Sequence, residues 1–496
     1  MKKFFLYALI LLMPFCFCGC TGDIIVEASK QANTYEIIAS YDNTNKTLTA
    51  TETLTYKNDS QNTLDYIMLH LHPNAFGDGV TKNSAVSKSQ EARAYDNGKS
   101  FGGIEILAVK ENGIESKFEV EGVDKHLLKV ELKSPIKQNE SVVLEIGFSL
   151  KIPNCNHRFG YGKYTTNLGN WYPIVCVFEN GEWDTEGYIP SGDPFYSKIS
   201  NYSVTISYDS DLTIASTGNL QKRTSSGNTT TDRYEALAVR DFAMVLSKDF
   251  QILSEQVGDT TVNYFYYEDE NAQSHLKTSV DALNTFNDVF GKYPYSVLNV
   301  VKTGFLQGGM EYPNLVYISD QVKNESEYNN VIIHEIAHQW WYGVVGDNQL
   351  AYAWIDEGLA EYSTALFYDL NSGYENTKEL VIGNALSSYL LFCDVYREVY
   401  DKLDTSMNRR VSSFNSETEY VYLTYVKGML MFDGIADVLG QNKMNKCLQK
   451  LYKDYAMKEV TPLQLIETFE RASGRNLKSY ITSWLDGTVV LEELNA

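Results

Sequence analysis

Val331-Ile332-Ile333-His334-Glu335-Ile336-Ala337-His338-Gln339-Trp340-Trp341 carries two histidines four positions apart, with a glutamate directly after the first. On a helix, residues i and i+4 project from one face, so His334 and His338 can reach one ion while Glu335, one residue round, faces its open side. The flanking apolar residues make this helix hydrophobic nearly all round, which marks it as buried. A buried helix does not carry His, Glu and His without partners for them. Eighteen residues (339–356) separate His338 from Glu357, which opens the run Glu357-Gly358-Leu359-Ala360-Glu361-Tyr362, the first turn of a second helix. A carboxylate there completes a two-histidine, one-glutamate set with a fourth position free, the donor set of a catalytic Zn2+ site, one ion per chain. The bland reading of such a pair is a solvated helix face; it loses ground because only seven histidines occur in the whole chain.

An ion so held brings the pKa of its water toward neutrality and polarises a carbonyl entering the open position. Glu335 is the matching general base, able to take the proton and pass it to a leaving amine. Glu361, one turn beyond Glu357, either orients a ligand histidine or is a plain exposed helix carboxylate.

The 496 residues, 44% of them hydrophobic, exceed one core and predict two or more domains. A net charge of −22 argues against nucleic-acid binding, which needs a basic surface. Residues 1–20 stand apart from the fold. Lys2 and Lys3 precede an apolar run, Phe4 to Phe15, too short to span a bilayer, and Phe17-Cys18-Gly19-Cys20 closes it. This looks like a bacterial lipoprotein signal with Cys20 as the lipidated residue, although Phe17 stands where leucine is usual; an ordinary secretory signal is the alternative. Either implies export, and the first implies a lipid tether at the bacterial cell surface. Cys155, Cys176, Cys393 and Cys447 have no metal-site spacing, and pairing or free buried thiols are both open.

From about 35 to 250 the hydrophobic period is two, as in Val142, Leu144, Ile146, Phe148 and Leu150, so this half is β-sheet. His70 and His72, two apart on a strand, lack a third ligand and are read as structural. Further on, a helix is expected over 268–290, strands over 296–301 and 312–318, and helices over 326–342, 356–370, 377–400, 417–438, 444–455 and 462–472. The fold class is therefore α+β and multidomain, divided as 1–20 signal, 21–256 β-sheet domain and 257–496 mainly helical catalytic domain. No linker separates the halves, which predicts a packed interface.

At these residues the chain resembles the aminopeptidase N family of zinc gluzincins. The resemblance extends to Gly308-Gly309-Met310-Glu311-Tyr312, similar to the family's Gly-x-Met-Glu-Asn strand, to Trp354-Ile355-Asp356-Glu357-Gly358, and to Tyr425-Val426-Lys427-Gly428, similar to its Tyr-x-Lys-Gly. It implies a saddle- or sandwich-like β domain followed by a thermolysin-like catalytic domain. The stretch from Glu357 to Ala496 suffices for the latter and is too short for the family's large C-terminal helical domain, which would leave the site more open. By the same resemblance Glu311 binds the free α-amine of a peptide, Gly308, Gly309 and Met310 run alongside it, and Tyr425, otherwise one of 36 tyrosines, donates to the oxyanion. Tyr312 and Asp356 both replace the family's asparagine. The reading that results is a zinc aminopeptidase acting on peptides with a free N-terminus. Its alternatives are a zinc endopeptidase or dipeptide-releasing peptidase and, in another class, a non-catalytic peptide-binding surface lipoprotein.

Overall fold

Strands Asn33–Asp42, Thr47–Lys57, Ser141–Lys151 and Ser200–Asp209 bury alternate residues along most of their length, and that alternation assembles them into one sheet. The structure is a computed structural model that describes residues 22–193, 195–400, 403–489 and 491; the expected signal and Cys20 lie outside them. The sheet has eight strands in the order Asn219–Ser226, Thr229–Val239, Ser200–Asp209, Asn33–Asp42, Thr47–Lys57, Ser141–Lys151, Gly103–Glu111 and Ile114–Glu115. Its neighbours are antiparallel except at one seam, where residues 33–40 lie parallel to 200–207. Two four-stranded sheets and a two-stranded one, Phe178–Glu179 with Glu182–Trp183, join it in this half.

Strand Gln251–Val257 pairs with Thr260–Tyr266, and the latter runs parallel to Val297–Thr303 in a separate five-stranded sheet. The division expected at 256/257 would cut that hairpin, so the change of sheet comes before Gln251. The strand expected over 312–318 is Leu315–Ser319, and it pairs with Gly309–Met310, the edge strand of this sheet.

Helices follow. Ala272–Val289, Asp356–Leu370, Lys378–Tyr400, Gln441–Tyr455 and Pro462–Ser473 lie where periodicity placed them, while Lys478–Leu485 adds one the pattern did not separate. The motif helix spans Glu325–Ala337, shorter than expected. Asn324 caps its start by accepting from the Glu327 N–H at 2.9 Å, and its end turns sharply through Tyr342, whose φ is 112°. The expected helix over 417–438 is three pieces, Glu417–Val421, a π-helical turn Tyr422–Val426, and Lys427–Leu439.

The two halves share one continuous hydrophobic core. Buried Arg240 crosses between them, donating to the Tyr342 carbonyl at 2.6 Å and to Glu459 at 2.7 Å. His70 and His72 are buried with their rings stacked 4.8 Å apart, and burial lowers the pKa of His70 to about 4. Both act as neutral core rings. The four cysteines described are buried and free, so no disulfide joins Cys155 to Cys176 or Cys393 to Cys447.

Candidate active site

Two glycines decide where the site forms. An added Cβ on Gly358 would lie 3.0 Å from the Cα of Gly428, so helices Asp356–Leu370 and Lys427–Leu439 touch backbone to backbone there. Glu357 precedes one glycine and Tyr425 lies three residues before the other, which is how the Tyr425 hydroxyl comes to donate to Glu357 Oε1 at 2.5 Å. Tyr425 sits in the π-helical turn, whose extra residue per turn re-aims its side chain.

His334 Nε2, His338 Nε2 and Glu357 Oε2 form a triangle with sides of 3.1, 3.2 and 3.4 Å, all in buried side chains. Tetrahedral zinc with bonds of about 2.0–2.1 Å places its ligands roughly 3.3 Å apart, so this donor set fits the ion. The tautomer fits as well. His338 Nδ1 donates to the Trp341 carbonyl at 3.0 Å, which leaves the Nε2 lone pair for the metal. Glu361 lies 3.4 Å from His334 Nδ1, the orienting side rather than the solvent side of that ring. Burial pushes the Glu357 carboxyl up, and the imidazoles of His338 and His334 overcome this, holding it well below the usual carboxylate range.

Glu335 is buried, and its Oε2 has no hydrogen-bond partner. Burial, then the charge of Glu311, push its carboxyl well above the ordinary glutamate value. Gly309 lies against it: a Cβ there would sit 2.3 Å from Glu335 Oε1, so only glycine lets the strand approach the base this closely.

Glu311 shares the cleft, a space of about 320 Å³ lined also by Gly308, Gly309, His334, Glu335, His338, Glu357, Glu361 and Tyr425. Met310 does not line it. Its sulfur turns away and accepts from Arg158 Nε at 3.0 Å. Tyr312 likewise points into the β-rich half, donating to Asn170 Oδ1 at 2.7 Å, so it braces the two halves and leaves Glu311 in the cleft.

Several functional neighbours carry no local sequence signal. The Gln349 amide donates both to Glu311 Oε1 at 2.9 Å and to Asp356 Oδ2 at 2.8 Å, fixing the carboxylate that faces the cleft and tying down the aspartate that replaces asparagine. Arg158, buried in the cleft wall, pairs with Asp193 and donates to the Tyr188 hydroxyl. Each links residues far apart in the chain, which no spacing rule reaches.

Fold and site together define a metallopeptidase-type centre, with the HExxH helix, a distal glutamate on a second helix and an edge strand beside them. Residues 274–484 match the peptidase family M1 domain. Aminopeptidase M1-B of Oryza sativa subsp. japonica is 25% identical over 228 residues, covering 42% of this chain and 25% of that protein. Aminopeptidase N of Haemonchus contortus is 21% identical over 410 residues, 75% of this chain and 41% of its own. The chain thus spans about a quarter of the length of the first of these relatives. The M1 zinc metallopeptidase of Deinococcus radiodurans has the same fold, with a TM-score of 0.65 at 16% identity over 93% of this chain and 95% of that one. A mutant of that protein has been solved bound to a Tyr-Ser-Ala substrate.

Proposed function

We propose that the protein is a zinc aminopeptidase that removes residues from the free N-terminus of peptides. The observation that carries this reading is the Glu311 carboxylate, held by Gln349 in the same cleft as the three converging ligand atoms and the buried base. His334, His338 and Glu357 would hold the ion, which when bound would supply Lewis acidity toward the scissile carbonyl and acidify a water. Glu335 takes the proton of the attacking water and delivers it to the departing amine. Tyr425 turns its hydroxyl from Glu357 to the developing oxyanion; burial, then the neighbouring Glu357, keep that phenol protonated and so a donor. The free edge of Gly309–Met310 offers backbone groups to an extended substrate, which then lies as one more strand. Glu311 pairs with an ammonium only where the substrate ends, and this selects the terminal residue over internal bonds.

The test compares a free-amine peptide with its N-acetylated form. The wild type should favour the free amine strongly, and Glu311→Ala should lose far more rate on the free amine than on the blocked peptide. Equal loss on both removes Glu311 from the amine role, and ready internal cleavage of the blocked peptide by the wild type makes the enzyme an endopeptidase.

The positive start, the short apolar run and Cys20 support export and a lipid tether to the outer side of a membrane. Cys20→Ser should then move the protein from the membrane fraction to the soluble one. Unchanged partitioning ends the proposal of a lipid anchor.

A further inference from the structure

The charges lining the cleft are lopsided. Six carboxylates face two guanidinium groups, Arg93 and Arg158. Arg158 is committed: it is buried, paired with Asp193, and donates to the Tyr188 hydroxyl at 3.2 Å and the Gly192 carbonyl at 3.2 Å. Arg93 is exposed at the rim, and among the described residues its guanidinium has no ion pair or hydrogen bond. Its backbone is nonetheless tied down. Gln321 Nε2 donates to the Arg93 carbonyl at 3.2 Å, the Asn156 N–H donates to Ala94 at 2.7 Å, and Gln90 Nε2 donates across to Glu417 Oε1 at 3.2 Å. A cation on a fixed root, with no internal partner, in a cleft otherwise negative, is available to a ligand's anion.

We propose that Arg93 is a subsite for the α-carboxylate of short peptides, so that the cleft recognises its substrate by both charged ends. The proposal rests on the aminopeptidase reading, which puts the α-ammonium at Glu311. A terminal carboxylate entering this cleft is repelled by acidic side chains on most sides, and Arg93 is where a planar fork can receive it. The volume of about 320 Å³ lies at the small end for ligand sites, in keeping with peptides of a few residues. Substrates extending beyond the rim, or amidated at the C-terminus, forgo the contact.

The experiment uses the zinc-loaded full chain with trialanine as its free acid and as its C-terminal amide. Because Arg93 is exposed, the acid should be favoured in kcat/KM by about three- to fivefold, chiefly through KM, and the preference should shrink as salt rises. Arg93→Gln should bring the acid-to-amide ratio near one, and Arg93→Lys should restore part of it. A wild type that does not distinguish the two peptides overturns the proposal, as does an Arg93→Gln variant that retains the wild-type ratio. Calorimetric binding of the same peptides to zinc-loaded Glu335→Gln reads the carboxylate preference without turnover. If neither peptide is hydrolysed, the aminopeptidase reading fails by itself, and the binding ratio still decides Arg93.

Discussion

Glu335 is defined as much by Gly309 as by its own chemistry. The glycine lets an edge strand lie against the carboxylate, excluding water from one side, and burial with the charge of Glu311 raises its affinity for a proton. Glu335→Gln should keep the fold and the metal while lowering kcat by about 100-fold to 10,000-fold, measured on zinc-loaded protein of verified metal content. An active variant would remove Glu335 from the base role. His334, Glu335, His338 and Glu357 were legible in the sequence because helical spacing alone puts the first three together and because a carboxylate so placed has few other uses. Arg158, Asp193 and Gln349 were not legible. Their partners sit on other elements, and nothing near them in the chain distinguishes them from ordinary polar residues.

At the scale of elements, the contact of Gly358 with Gly428 sets the distance between the ligand helix and the tyrosine. Gly428→Ala places a methyl 2.9 Å from the Gly358 Cα, and should cost about 1–3 kcal/mol of stability by overpacking. It should also lower kcat, because the helices part and the Tyr425 hydroxyl moves off the site. Denaturant unfolding together with kinetics checks both; a variant with unaltered kcat would show that the tyrosine's position does not matter. Strand alternation and most helices could be read from periodicity. The π-helical turn at Tyr422–Val426 could not, since one extra residue in a turn hardly disturbs the pattern of a half-buried helix. The boundary expected at 256/257 cuts the hairpin of Gln251–Val257 and Thr260–Tyr266, because periodicity reveals a strand and not the sheet it joins.

Across the whole molecule, the motif helix with His338 at its C-terminal cap and the helix Asp356–Leu370 would supply every protein ligand to zinc, so the ion would cross-link elements otherwise joined by packing and by the contact of Glu361 with His334. Chelation should lower the melting temperature by about 3–5 °C, taking roughly 2.7 kcal/mol for a site held at a hundredfold excess over Kd. Scanning calorimetry before and after zinc is restored checks this, and an unchanged melting temperature would mean the ion has no part in holding those helices together. The parallel seam between residues 33–40 and 200–207 carries a different consequence. During synthesis the strand Asn33–Asp42 leaves the ribosome with one edge unpaired, and its partner emerges only after most of the first half has been made. Until then that edge is an open template for neighbouring chains, so this strand is where association during synthesis should start.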